Sequence, residues 1–325
     1  MTDARRDRAA GALLGHAAGD ALGAGYEFGD PLPPDAVVAM LGGGSFGWAP
    51  GEWTDDTQMA VPLLDAAEEA REAGGELTDH LDAVVATWSA WALAATDVGN
   101  QTRRVLGMVT RTGELTCDAL LDASRRLHEE TGRTAGNGSL MRTSPVALAY
   151  LGRDDDLAAA ARLVSSLTHW DDDAGDACVL WCLAISHAIG TGELDLRRGL
   201  AHLPRQRQDQ WEALMLEAEN KPPVAFPDNG WVVHAFQAAW SAITTTAVPA
   251  HDPKSHLRLA LENAVRAGHD TDTVAAIAGQ VLGAYWGASA IPDEWAQVVH
   301  GWPGLTGVEL AQRGAHLAVP AVERP

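Results

Sequence analysis

The sequence predicts an all-α protein folded as one compact domain. Three observations carry the prediction. No segment shows the sustained period-two alternation of a β-strand, and Val and Ile are scattered inside Ala- and Leu-rich stretches of helical spacing. Gly- and Pro-containing loops separate those stretches. No repeat, low-complexity tract or shift of composition divides the 325 residues, 46% of them hydrophobic, so one domain with its core from about residue 9 to 317 is expected.

The elements follow in order. Residues 9–23 form a helix whose small residues allow close approach of a neighbour, ending in Gly19-Asp20-Ala21-Leu22-Gly23. Asp20 in this apolar stretch is either a buried acceptor organising a turn or a wall of a site. Glu27 follows in a Gly-flanked loop, where a carboxylate can enter a site without helical constraint. Residues 30–53 carry three prolines within 31–34, then Gly42-Gly43-Gly44 and Pro50-Gly51, and read as a lid or an ordered wrap; no Gly-Lys-Ser/Thr follows to make a phosphate loop. Helices are then expected over 59–73, 79–95, 101–111 and 117–130, with Asp97 a cap for the third of these or a site acid.

Gly136-Asn137-Gly138-Ser139 opens a helix with Pro145 in its first turn and reads as an anion nest, with Arg142 serving a phosphate or pairing with an acid. Further helices are expected over 154–167, 177–189, 231–244, 253–267, 274–286, 293–300 and 305–317, with two short ones within 194–219. The 12 tryptophans read as packing residues.

The net charge of −21 argues against an extended nucleic-acid surface or an anionic membrane as partner. The three cysteines show no metal-type C-x-x-C spacing, and Cys178 and Cys182 share a helical face as core residues. The polar first residues and the short apolar run after them match neither a signal peptide nor a membrane span, so a cytoplasmic protein is expected.

Two stretches ask for more than a structural role. Thr54-Asp55-Asp56-Thr57 and Asp270-Thr271-Asp272-Thr273 each open an apolar helix. A helix start needs one acid or hydroxyl as a cap, and here four oxygen-bearing residues stand in a row twice. The surplus calls for cations. Carboxylate and hydroxyl oxygens are hard donors that favour Mg²⁺ or Mn²⁺, while His269 beside the second cluster keeps zinc as a minor alternative. The two clusters read as halves of one site for two ions, which orient a water and lower its pKa while a nearby carboxylate acts as base or acid.

The chain resembles the ADP-ribosylglycohydrolase family, which includes the dinitrogenase-reductase-activating glycohydrolases. The matching pieces are Gly19–Gly23 with Glu27, Gly51–Met59, Asp97-Val98-Gly99, Gly136–Arg142, Thr168-His169, Gly230–Val233 and Gly268–Gly279, in family order. The resemblance implies an all-α fold with a binuclear Mg²⁺ or Mn²⁺ centre. It also implies hydrolysis of the bond between ADP-ribose and an acceptor, often a protein arginine or serine. By the same resemblance Thr54, Asp55, Asp56, Asp270, Asp272 and Thr273 match metal ligands. Glu27 matches an acid near the metals, and Asp97 one of the arginine-directed branch; Asp55, Asp56 or Glu27 would take the proton of the attacking water. Gly99, Gly136, Asn137, Gly138, Ser139 and His169 match positions around ADP-ribose.

The sequence departs from the family pattern at His269, at Thr271, at Trp170–Asp173 and at His234, which bears on substrate preference rather than on metal binding. Two other readings stand beside this one. One is a non-hydrolytic ADP-ribose binder, or a hydrolase of another ADP-ribosyl conjugate. The other is a Mg²⁺-dependent prenyl-diphosphate enzyme, from the D-D-x-x-D pattern Asp172-Asp173-Ala174-Gly175-Asp176.

Overall fold

A computed structural model describes residues 3–319. Helices make up about two thirds of the chain. In order come α1 (Asp3–Gly23), α2 (Asp55–Ala73), α3 (Leu81–Trp91), α4 (Asn100–Thr112), α5 (Cys117–Thr131), α6 (Ser144–Ala149), α7 (Asp154–Ser166) and α8 (Asp172–Thr191). Then follow α9 (Arg205–Glu219), α10 (Val232–Thr245), α11 (His256–Arg266), α12 (Thr271–Trp286), α13 (Asp293–Ala296), the strands β1 (His300–Gly301) and β2 (Leu305–Thr306), and α14 (Gly307–Leu317).

The centre is an antiparallel pair, α1 and α12, whose backbones touch. Gly11, Gly15, Gly19 and Gly23 recur every four residues and so share one face of α1. A Cβ there would lie 2.2 Å from Gly283 O, 2.4 Å from Gly279 O, 2.1 Å from Ala275 O and 2.4 Å from Asp272 Cα, respectively. The small residues noted in the sequence therefore bring the end of α1 against the first turn of α12. α14 covers another side of α1, where a Cβ on Gly314 would meet Ala9 O at 2.5 Å. α8, α10 and α11 pack on α12, and α2 lies against α6 and α3.

One continuous cluster of buried side chains joins these elements, with Trp53, Trp88, Trp181 and Trp211 fully enclosed. Cys178 and Cys182 are buried free thiols within it. Trp231 is the exception to the packing role expected of tryptophan, being exposed. α8 is long and apolar enough to cross a membrane, but 83% of that stretch is buried among the other helices, which identifies a core helix.

Several boundaries differ from expectation. α1 begins at Asp3, α8 at Asp172 and α12 at Thr271, so the second acid cluster lies within a first helical turn. The segment expected as two short helices within 194–219 is a 3-10 turn, Arg197–His202, followed by the longer α9. The helix expected over 293–300 stops at Ala296. His300 and Gly301 instead pair with Thr306 and Leu305 in a two-stranded antiparallel ribbon. Period-two patterning cannot reveal strands of two residues, and Pro303 and Gly304 between them favour a turn. The ribbon also holds the approach to the first acid cluster: His300 N–H donates to Gly51 O at 2.9 Å and Trp53 N–H to His300 O at 3.0 Å.

Of the two readings for residues 30–53, the ordered wrap is the one observed. Leu32 N–H bonds to Arg266 O, the Arg266 guanidinium to Ala36 O, and the Tyr26 hydroxyl bridges both backbone groups of Ala39.

Candidate active site

Three helix ends converge at the foot of the α1–α12 pair. Asp20, in the last turn of α1, accepts from Thr54 N–H at 2.8 Å, Thr57 N–H at 2.9 Å and Thr57 Oγ1 at 2.6 Å. Of its two readings, the buried acceptor organising a turn is what the fold shows. Its carboxylate satisfies the free N–H groups that open α2. Thr271 Oγ1 donates to Gly23 O at 2.9 Å and so ties α12 to the end of α1. The first turns of α2 and α12, with their acids, thereby face each other.

The clusters interlock through hydroxyls. Thr54 Oγ1 lies 3.1 Å from Asp56 Oδ2 and 3.3 Å from Asp272 Oδ2, and Thr273 Oγ1 is 3.4 Å from Asp56 Oδ2. Asp272 Oδ1 accepts from Thr273 N–H at 2.9 Å. Asp270 is held by Asn137 Nδ2 at 2.7 Å, and its N–H donates to Asn229 Oδ1 at 3.1 Å. Asn229 was not singled out from the sequence; its only signal is its place before Gly230-Trp231.

Carboxylate oxygens of Asp20, Asp56 and Asp272 lie within 4.8 Å of one another, as do those of Glu27, Asp270 and Asp272. Asp272 belongs to both sets. Asp55 belongs to neither: it takes a bond from the Gly99 backbone N–H and has Asp97 as its strongest charged neighbour. Glu27 reaches the second set because its loop is latched there. Phe28 N–H donates to His269 O at 2.6 Å and His269 N–H to Gly29 O at 2.8 Å, with both Phe28 and His269 at φ 63°.

The cluster lies beside a cavity of ≈ 420 Å³, whose lining includes Glu27, Asp55, Asp97, Asp270 and Thr273 on one side and Gly136, Gly138 and His169 on another. Asp97 does not cap α4. Gly99 occupies the cap position, and Asp97 lines the cavity.

Other expected binding residues are used differently. Asn137 lines the cavity, but its side-chain amide is committed to Asp270 and Asn229 O. Its N–H donates to Gly230 O, which removes it from the expected anion nest. The Ser139 hydroxyl turns inward to Ser165 at 2.9 Å. Arg142 meets neither expectation: it is fully buried and bonds to Thr168 Oγ1, not to an acid.

Burial raises every carboxylate here, and mutual repulsion adds to it. Glu27 is pushed up to about 9, first by burial and then by Asp270, Asp97 and Asp55. Asp55, Asp56 and Asp272 are held well above the usual carboxylate range by burial and then by neighbouring carboxylates, foremost Asp97 for Asp55, Asp20 for Asp56 and Glu27 for Asp272. Burial also raises Asp97 and Asp270, and takes Asp20 to about 6 despite its hydrogen bonds. Two like charges about 4 Å apart repel by roughly 4 kcal/mol at an effective dielectric near 20. Among the described residues Arg103 is the one basic side chain, other than imidazole, that lines the cavity. Asp56 Oδ1 and Glu27 Oε2 are buried with no hydrogen-bond partner among the described residues. An all-oxygen donor set with surplus negative charge and vacant lone pairs fits hard divalent cations.

The D-D-x-x-D acids do not meet this cavity. Asp176 is buried and held by Arg162, Arg207 and the Trp211 N–H, and Asp173 is bound by Arg207. Asp171 caps α8 through Asp173 N–H. Asp173 and Asp176, neutralised by arginine, are not free to ligate Mg²⁺, and Asp172 is exposed away from the cavity lining, so the prenyl-diphosphate reading is set aside. His234, in the first turn of α10, accepts from Asp228 N–H beside the rings of Phe226 and Trp231.

Comparison with known proteins places these features. The model of the family described as ADP-ribosylglycohydrolase matches residues 1–322. An ADP-ribosylarginine hydrolase (Tri1) of Pseudomonas putida is 33% identical over 305 residues, covering 90% of this chain and 74% of the relative. An ADP-ribosyl-[dinitrogen reductase] glycohydrolase of Rhodospirillum rubrum is 29% identical over 297 residues, covering 89% of each chain. A solved structure titled ADP-ribosylglycohydrolase-related protein complex superposes with a TM-score of 0.73 at 30% identity, covering 98% of this chain and 99% of the other.

Proposed function

The chain belongs to the ADP-ribosylglycohydrolase family, and from that premise we propose that it cleaves the bond between ribose C1 of ADP-ribose and the guanidine nitrogen of a protein arginine, using two Mg²⁺ or Mn²⁺ ions. It is a glycosidic-bond hydrolase. The observation that carries the reading is the meeting of two hydroxyl-and-acid helix starts beside one cavity, with oxygens of Asp56 and Glu27 lacking a hydrogen-bond partner among the described residues. Arginine is preferred as acceptor because Asp97 adds an acid to the cavity and because the P. putida relative bears that activity in its name.

Asp56, Asp270 and Asp272, with Thr54, Thr273, Asp55 and Glu27 beside them, would hold the ions. Bound there, the ions supply Lewis acidity that fixes vicinal ribose hydroxyls and acidifies a water. The rest falls to the chain. Asn137 fixes the Asp270 carboxylate, and the Thr54 and Thr273 hydroxyls orient Asp56. Asp55 or Glu27 takes a proton from the attacking water as its oxygen bonds to C1. The C1–N bond breaks through an oxocarbenium-like state, and Asp97, whose carboxyl burial raises, returns a proton to the leaving guanidine. The wall at Gly136, Gly138 and His169 receives the ADP-ribosyl portion.

The test is release of ADP-ribose from arginine-linked and serine-linked model proteins in Mg²⁺, Mn²⁺ or EDTA. Metal-dependent release from the arginine conjugate is expected. Release in EDTA would overturn the metal role, release from serine alone would overturn the acceptor, and binding of ADP-ribose without release would indicate a binder.

A further inference from the structure

Arg142 is fully buried, and no carboxylate among the described residues lies within ion-pairing distance of it. Its guanidinium stands 4.2 Å over the Trp88 ring, and Nη1 reaches Met59 Sδ at 3.6 Å. Its short bond is from Nη2 to Thr168 Oγ1, at 2.6 Å. Thr168 Oγ1 in turn lies 2.8 Å from His169 Nδ1. Thr168 is itself enclosed, and its carbonyl is pinned by Gln101 Nε2 at 2.8 Å.

Hydrogen counting fixes the direction of this chain. A guanidinium only donates, so Thr168 Oγ1 accepts from Arg142. The hydroxyl carries one hydrogen, and His169 Nδ1 is its one remaining neighbour. Were Nδ1 protonated, the hydroxyl would accept twice and bury its own hydrogen unbonded, which is costly. With Thr168 donating to a bare Nδ1, the hydroxyl and Nδ1 are both satisfied and the imidazole hydrogen sits on Nε2.

Nε2 is placed at the cavity wall. It makes no hydrogen bond within the described residues, and it lies 3.2 Å from where a Cβ on Gly136 would be and 3.1 Å from one on Gly138. All three residues line the same cavity. This edge of the ring occupies the space that side chains at 136 and 138 would need.

We propose that Arg142 and Thr168 are positioning residues that lock His169 as a neutral imidazole with its hydrogen on Nε2, so that the cavity wall presents a fixed donor to an oxygen of the ADP-ribosyl group. The buried charge has a second effect. The other ionisable groups lining the cavity are Glu27, Asp55, Asp97 and Asp270 against Arg103, a field that would draw a proton onto an imidazole as pH falls. Burial and the Arg142 charge hold His169 well below the usual imidazole range. The identity of the accepting oxygen rests on the function proposed above; the tautomer does not.

The experiment is ¹⁵N–¹H correlation on histidine-labelled protein from pH 5.5 to 8, with His169→Asn identifying the signals of His169 among the 12 histidines. The wild type is expected to show a neutral ring protonated on Nε2 throughout. Thr168→Val, which keeps the shape and removes the hydroxyl, is expected to give a tautomer mixture and raise the Kd for ADP-ribose about tenfold. Its Kd should then vary with pH, with kcat on the arginine conjugate changed less than threefold. Arg142→Lys, which keeps the charge and a donor, is expected to retain the wild-type pattern. A wild-type ring protonated on Nδ1, or a Thr168→Val ring unchanged from wild type, would overturn the proposal. Failure of the wild type to bind ADP-ribose would overturn the assigned ligand while leaving the tautomer result intact.

Discussion

Gly23→Ala tests whether backbone packing sets the metal-site geometry. A Cβ at position 23 would sit 2.4 Å from both Cα and N of Asp272, whereas ordinary contact begins near 3.4 Å. The end of α1 and the first turn of α12 must therefore part by about 1 Å, since neither contact is a flexible side chain. Overpacking of this kind costs about 1–3 kcal/mol, offset by at most about 1 kcal/mol from replacing Gly by Ala in a helix. At about 1.5 °C per kcal/mol for a chain of this length, a Tm loss of a few degrees is expected. Metal ligands tolerate displacements of only about 0.2 Å, so Mn²⁺ affinity should fall about 10–100-fold. Gly11→Ala is the control. Its Cβ would meet Gly283 O at 2.2 Å, but on the same face about 18 Å up the helix. It should lower Tm comparably while changing Mn²⁺ affinity less than about threefold. The assays are thermal unfolding in EDTA and calorimetric titration with Mn²⁺. Gly23→Ala that loses stability yet binds Mn²⁺ like wild type would refute the reasoning.

Other outcomes follow from the same charges. Asp56→Asn and Asp272→Asn should each reduce ADP-ribose release by about 10² or more, yet leave Tm in EDTA equal or higher, because each removes one of several repelling acids; a large Tm loss in EDTA would count against that account. Glu27 is raised from 4.5 to about 9 on folding, so its stabilising effect is full below about pH 4.5 and is lost as pH rises through 9. Metal-free wild type should then match Glu27→Gln in Tm near pH 5 and fall below it by pH 9, and parallel curves would contradict the assignment. Asp97→Asn should lower kcat on the arginine conjugate about 10²-fold, whereas a change in KM alone would remove its role as acid. Asp176→Ala leaves Arg162 and Arg207 facing a buried gap and should destabilise by about 3–5 kcal/mol while kcat on the folded fraction is retained.

The sequence by itself determined the helical class, because helical periodicity over long apolar stretches is a local property. It also marked Thr54–Thr57 and Asp270–Thr273 as clusters, because oxygen donors beyond what a helix cap uses are visible in a linear string. The small-residue face of α1 was legible too, although its partner was not. What only the tertiary structure decided depends on residues far apart in the chain. Glu27 enters a carboxylate set with Asp270 and Asp272 while Asp55 stays outside both sets, an outcome of the Gly29–His269 latch. Asn137 and Ser139 looked alike within one motif, yet one braces Asp270 and the other turns to Ser165. Arg142, Asp173 and Asp176 look alike in sequence as charged site candidates; their partners Thr168, Arg162 and Arg207 place Arg142 behind His169 and tie the two acids into ion pairs away from the cavity. Local patterns report what a segment can form, whereas the use of a polar atom is fixed by whichever partner the fold brings within hydrogen-bonding distance.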